Sequence, residues 1–340
     1  MRSGQGPGGL RDSLRGRNGF HAQDGGSGGP KRRLLLQGLV ELTLAGVAHK
    51  APVEGRPPEY DLPAPGAVDV RATTVIQPPR GWDFFPVREV WAYRELLYFL
   101  VWRDVKLRYK QTALGIVWVA LQPIALAAMF TIVFSRFLSA PSAGLPYPVF
   151  VLAGLVPWQM FAAAVGRSSM SLVANEHLLT KIYFPRILIP VASVLTASID
   201  MLFTLLVLGG VLIYYGIGLS LTALLLPLLI GLVLAAAMGV GLLLAALNVR
   251  YRDVQALVPF LTQMWLFATP IAYAATLVPD DWRWLYDLNP MVGVVDGFRW
   301  AIAGGSFPGS LPSAVAIIAV LGIAAIVYFR RAERQFADVV

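Results

Sequence analysis

Apolar residues fall into two regimes along this chain. Before about residue 115 they are scattered or striped; beyond it they form long runs separated by short polar clusters. A run of about 20 mostly apolar residues matches the roughly 30 Å hydrocarbon core of a bilayer. On that criterion six membrane-spanning helices are expected, at 115–138, 147–173, 187–215, 219–247, 257–275 and 311–329. Pro123, Pro157, Pro190, Pro227 and Pro259 lie inside these runs or near their ends. Proline is tolerated there because neighbouring helices satisfy the freed carbonyls. In the fourth run Gly239 and Gly241, with Ala235, Ala236, Ala237, Ala245 and Ala246, provide a small-residue face for close helix contact.

Residues 87–110 carry a different pattern. Val87, Val90, Trp91, Leu97, Tyr98, Val101, Trp102, Val105 and Tyr109 recur at helical spacing, with most charges opposite. The continuous apolar stretch at 96–102 is too short to cross a bilayer, so the segment reads as an amphipathic helix lying in the interface. Residues 1–80 sustain no apolar period and are rich in Gly and Pro, as in a disordered extension. The expected class is therefore an all-α integral membrane protein. Its expected layout is an extension at 1–80, an interfacial helix at 81–113, a six-span domain at 114–329 with a long external segment at 276–310, and a cytoplasmic tail at 330–340.

Composition sharpens this. Charged residues make up 14% of the chain, against ~25% in an ordinary soluble domain. Residues 1–113 hold 17 Lys/Arg and 11 Asp/Glu, which leaves 11 and 9 for the remaining two thirds. There is no cysteine, so disulfides, thiol catalysis and thiolate zinc sites are excluded. The net charge of +8 fits basic loops at an anionic membrane better than nucleic acid. Arg103, Lys106, Arg108, Lys110, Lys181, Arg186, Arg250, Arg252, Arg330, Arg331 and Arg334 fall on one side of the spans. Only Arg136, Arg283 and Arg299 fall on the other, which places both termini in the cytoplasm.

Several groups carry candidate chemistry. Asp200 is about 13 residues into the third span, or ~20 Å, and Arg167 about 6 residues from the inner end of the second, or ~9 Å. They are not level, so a direct pair requires Arg167 to stretch. Intramembrane charges mark either structural pairing or a pathway. The basic cluster Arg94, Arg103, Lys106, Arg108 and Lys110 lies at headgroup depth and suits a lipid pyrophosphate; topogenic anchoring is the plain alternative. Trp118, Trp158, Phe161, Trp265 and Tyr273 are candidates to line a translocation path, because flat aromatic faces meet sugar rings without one fixed hydrogen-bond pattern. Their plain alternative is packing or an interfacial belt. Two cytoplasmic segments, 175–186 and 248–254, combine charge with apolar and aromatic residues, as either partner-docking elements or interfacial anchors would. Asp280-Asp281 reads as a helix start. The sequence contains no phosphate-cradling Gly-rich motif, so the chain is not expected to hydrolyse ATP by itself.

In order along the chain stand Tyr93-Arg94-Glu95-Leu96-Leu97, Trp102 to Thr112, Gln122-Pro123, Gly154-Leu155-Val156-Pro157-Trp158, Leu179 to Arg186, Asn248 to Asp253, Ala268-Thr269-Pro270 and Leu288-Asn289-Pro290-Met291. This ordered set resembles the ABC-2 type permeases that export polysaccharides, and the resemblance covers about residues 73–340. It implies an exporter of lipid-linked glycan such as O-antigen, capsule or teichoic acid, in the inner membrane. It implies two permease copies with two copies of a separate ATPase, which would bind ATP and magnesium; this chain would hold no cofactor or metal. Glu176, Leu178, Leu179, Lys181, Ile182 and Tyr183 would form the coupling helix seated in the ATPase, and 276–307 would supply gate helices. The alternatives are an ABC-2 permease for a small hydrophobic drug or lipid, and a membrane glycosyl- or acyltransferase. The second lacks a convergent acid, base or metal cluster at either membrane face.

Overall fold

The structure, a computed structural model, describes residues 87–110, 115–181 and 184–333. The expected extension at 1–80, residues Ile182 and Tyr183, and the tail beyond residue 333 lie outside the described residues.

The described residues are helical. α1 (Val87–Ala92) and α2 (Arg94–Lys110) precede the bundle. α3 (Gly115–Phe130) continues through a π-helical stretch, Thr131–Phe137. α4 (Tyr147–Ala174), the short α5 (Glu176–Lys181) and α6 (Leu188–Tyr214) follow. After a 3₁₀ turn come α7 (Leu226–Arg250), α8 (Val254–Phe267), α9 (Asp280–Asp287), α10 (Pro290–Ala303) and α11 (Ser310–Glu333).

Local sequence accounts for several boundaries. α6 ends where Gly216 takes a φ of 66°, which lets the amide of Ile217 reach back to the carbonyl of Leu212 at 3.0 Å. α10 starts at Pro290, whose missing N–H costs nothing in the first turn, and the Asn289 side chain caps it by accepting from the Met291 amide at 3.0 Å. Gly304, at φ 74°, ends it.

Among the described residues five helices are long and apolar enough to cross a membrane: Val117–Phe137, Tyr147–Ala174, Leu188–Tyr214, Leu221–Arg250 and Ser310–Glu333. The expected fifth span, 257–275, differs. α8 stops at Phe267 after 14 residues, or ~21 Å, and the chain runs irregularly through Thr269-Pro270 to α9. The segment expected to be external, 276–310, differs too. α9 is amphipathic and exposed as expected, but α10 is buried, with Met291, Val294, Val295, Phe298 and Ala301 inaccessible. It inserts into the bundle as a re-entrant element instead of lying on its surface.

α4 is the centre of the bundle. Val149, Phe150, Leu155, Val156, Phe161 and Ala164 on it are covered by α6, α7 and α10. The small-residue face of α7 meets it closely: a Cβ on Gly241 would lie 2.7 Å from the Ser168 hydroxyl oxygen. Ala236, Ala237, Ala245 and Ala246 share that buried face, whereas Ala235 is exposed. A second apolar cluster at the α5 end joins Leu100 of α2 to Leu172, Leu188, Leu242 and Phe329. α3 and α8 instead leave large apolar side chains uncovered, among them Trp118, Leu121, Phe260 and Met264.

Candidate functional site

At the α5 end the stripe expected over 87–110 is largely uncovered: Trp91 on α1 and Tyr98 and Trp102 on α2 are exposed, with Tyr98 and Trp102 stacked at 6.5 Å, and Phe99 beside them is exposed too. Leu100, off that stripe, is the residue of α2 buried against the bundle. This suits a helix with one face on protein and an aromatic face in the bilayer interface. The last turn of α2 reaches into the bundle. Asp200 of α6 accepts from Arg108 at 2.6 Å, from Arg167 of α4 at 2.6 Å and from the Tyr109 hydroxyl at 2.5 Å. One carboxylate thus holds two guanidinium groups and a phenol, and three helices meet on it. Burial, then the hydrogen bond to Asp200, pushes the Tyr109 phenol up to about 12.

Arg103 makes a second tie. Its guanidinium donates to Asp104 at 2.8 Å and to the Asn175 side-chain oxygen at 2.9 Å. Asn175 sits between α4 and α5 and also donates to the Ser171 carbonyl. Two members of the expected pyrophosphate cluster, Arg103 and Arg108, therefore bind protein carboxylates. Arg94 lies over the Trp91 ring at 5.8 Å, and Lys106 and Lys110 are exposed.

α5 is oriented by its own apolar residues. Leu178 and Leu179 are half-buried against the α5-end cluster, whereas Glu176 and Lys181 are exposed. These two leucines thus seat the helix in part on its own bundle. Behind it, Asn248 of α7 donates to the Ser169 carbonyl at 2.9 Å.

At the other end the irregular segment after α8 poses a physical problem, because unpaired backbone groups are costly at membrane depth. Here they are satisfied by side chains. Asn289 donates to the Ala268 carbonyl and to the Thr269 hydroxyl, both at 3.1 Å, and accepts from the Trp265 indole at 2.8 Å. The Tyr147 hydroxyl donates to the Ala272 carbonyl. Arg299 donates to the Ile271 carbonyl at 3.0 Å and the Phe150 carbonyl at 3.3 Å, with its guanidinium 3.5 Å from the centre of the Phe150 ring. Arg299 lies 3.6 Å from Asp296, which also accepts from Ser310 at 3.1 Å. The charge distribution along the sequence places Arg299 among the external basic residues. The signal that identifies it is its place inside the apolar run 290–303.

The candidate path aromatics separate. Trp158, Phe161 and Trp265 form one cluster with ring centres 5.1–6.4 Å apart. Trp158 is 4% exposed and Phe161 0% exposed within a single chain, so both rings pack against protein here. Trp118 stands apart on α3, 64% exposed. Tyr273 donates to the Phe267 carbonyl at 3.0 Å and lines a cavity of about 810 Å³ with Phe134, Leu138, Trp282 and Tyr286. A second, more polar cavity of about 620 Å³ lies on the other side of Tyr286, among Arg283, Asp287, Asp296 and Arg299.

Long apolar helices around a central α4, with a short helix at one end and the re-entrant α10 at the other, mark a multi-pass α-helical membrane protein. The ABC-2 type transporter family matches residues 95–303, more than half of the chain, and the chain belongs to that family. The O-antigen export system permease protein RfbA of Myxococcus xanthus is 31% identical over 263 residues, covering 74% of this chain and 98% of that protein. RfbA of Klebsiella pneumoniae is 29% identical over 251 residues, 72% of this chain and 95% of that protein. The polysialic acid transport protein KpsM of Escherichia coli is 25% identical over 205 residues, 60% of this chain and 79% of that protein.

Proposed function

We propose that this chain is the membrane-spanning permease subunit of an ATP-driven exporter that moves a lipid-linked polysaccharide across the cytoplasmic membrane. The observation that carries the reading is the similarity to O-antigen export permeases along nearly their whole length. Two copies assemble with two copies of a separate ATPase, and both termini lie in the cytoplasm. The uncovered apolar faces of α3 and α8 suit contact with the second copy. α5 is the ATPase-docking element, with Glu176 and Lys181 outward and Leu178 and Leu179 holding it to the bundle; Ile182 and Tyr183 complete the docking segment. ATP and magnesium belong to the ATPase.

The pyrophosphate of the lipid carrier binds at the basic C-terminal end of α2, through Lys106 and Lys110 with Arg108 beside them; Arg94, at the opposite end of that helix about 24 Å away, lies outside this site. These cations sit at the depth where basic residues meet anionic headgroups, each worth about 1 kcal/mol. The test is deletion of the gene followed by analysis of surface glycan and of lipid-linked intermediates. Loss of surface glycan with accumulation of intermediates on the cytoplasmic leaflet is expected. Unchanged surface glycan would overturn the substrate assignment.

A further inference from the structure

The 620 Å³ cavity at the α9–α10 end stands out by its lining. Clefts for small ligands span about 300–1,000 Å³ and are mostly apolar with a few fixed polar groups. Here two carboxylates and two guanidinium groups face one space, beside the rings of Phe150, Tyr286 and Trp300. The rear wall is rigid. Asp296 is held by Arg299 and Ser310, and Arg299 by two backbone carbonyls. The Trp300 ring is fixed by its indole N–H, which donates to the Gly305 carbonyl at 3.2 Å, and by Phe307 packed edge-on at 5.3 Å.

The front wall is α9, and it is loosely held. Arg283 has a single long contact, 3.5 Å to Asp280, and points from an exposed turn. Asp287 is half-buried and has neither a hydrogen-bond nor an ion-pair partner among the described residues. A half-buried carboxylate that lacks a protein donor is costly unless something else supplies one. The four charges cancel in pairs, so the cavity has no net attraction for an ion. What it offers is two acceptor groups, two donor groups and aromatic faces around a space of ligand size.

We propose that this cavity is a sugar-binding subsite that takes a hydroxyl-rich unit of the glycan as it leaves on the external side. Asp287 accepts sugar hydroxyl protons, Arg283 donates to ring or hydroxyl oxygens, and Trp300 and Tyr286 supply flat apolar contact. The proposal rests on the polysaccharide reading above and adds a place where the polymer is contacted.

The test is photo-crosslinking in cells that carry the full chain with its ATPase. A benzophenone amino acid replaces Thr276 on the cavity wall, or Leu206 on the apolar surface of α6 as a control. Illumination during export is expected to give a glycan adduct at 276 and none at 206. Arg283→Ala with Asp287→Ala should lower the adduct roughly tenfold, the loss expected when charged hydrogen bonds are removed. Permease abundance and ATPase assembly should be unchanged. If glycan reaches the surface but no adduct forms at 276, or if the double variant crosslinks as well as the parent, the subsite is wrong while the exporter reading stands. If deletion of the gene leaves surface glycan intact, the exporter reading fails first, independently of the crosslink.

Discussion

Arg167 of α4 and Asp200 of α6 meet at 2.6 Å although they start from different depths in their helices. Arg167 is one turn or two from the α5 end, and Asp200 lies three turns in. Side chains on an α-helix lean towards its N-terminus. α4 begins at the far end of the bundle, so the arginine leans away from α5. α6 begins at the α5 end, so the aspartate leans towards it. The opposite polarity of the two helices brings the charges level, and Arg108 and Tyr109 of α2 then complete the cluster.

Asp200→Asn should destabilise the protein by about 3–5 kcal/mol, because it leaves two guanidinium groups facing each other without their anion. Adding Arg167→Gln should recover part of the loss. Thermal unfolding of the purified variants checks this: a double variant that unfolds earlier than Asp200→Asn alone would contradict the charge argument.

Tyr109 gives the cluster an alkaline limit. Its phenol is raised from 10.0 to about 12, so the folded protein favours the protonated form. The contribution is complete below pH 10 and is lost as the pH rises through about 12. The unfolding midpoint of the parent should fall over that interval more steeply than that of Tyr109→Phe. Parallel curves would remove Tyr109 from the account.

Phe161→Ala should cost about 3–5 kcal/mol through the cavity it leaves among Trp158, Trp265 and the α4 core. Phe161→Leu should cost far less and should retain export, because the position supplies bulk and not a sugar-facing ring. Measured export that collapses in a fully folded Phe161→Leu permease would return the ring to the translocation path.

Two glycines should respond oppositely to alanine. A Cβ on Gly293 would collide with the Ser310 carbonyl oxygen, so Gly293→Ala must part α10 from α11 and should abolish folded yield. A Cβ on Gly322 meets nothing within 4 Å, and Gly322→Ala should be neutral or stabilise by up to about 1 kcal/mol. Size-exclusion profiles of the two variants make the comparison.

Trp284 and Arg331, exposed near opposite ends of the bundle, test the orientation on this cysteine-free chain. In intact cells a membrane-impermeant thiol reagent should label Trp284→Cys and spare Arg331→Cys. The reverse pattern would invert the topology.

The run lengths alone determined four spans to within a few residues, together with the long final helix, because bilayer thickness constrains hydrophobic length directly. The ordered motifs were also legible, and the structure shows why two of them belong together: Asn289 fastens Ala268 and Thr269 across twenty residues or more. Hydropathy could not show that the apolar run at 257–275 breaks after Phe267, since an irregular segment buried by Arg299, Tyr147 and Asn289 is as apolar as a helix. Nor could spacing show that Trp158 and Phe161 face inward. Periodicity reports that two residues share a helix face, and only the packing of α8 against α4 decides what that face meets. The same holds for Arg103 and Arg108. Their charge and depth were readable from the chain, but their partners, Asn175 and Asp200, are more than seventy residues away and reach them only when α2 lies down on the folded bundle.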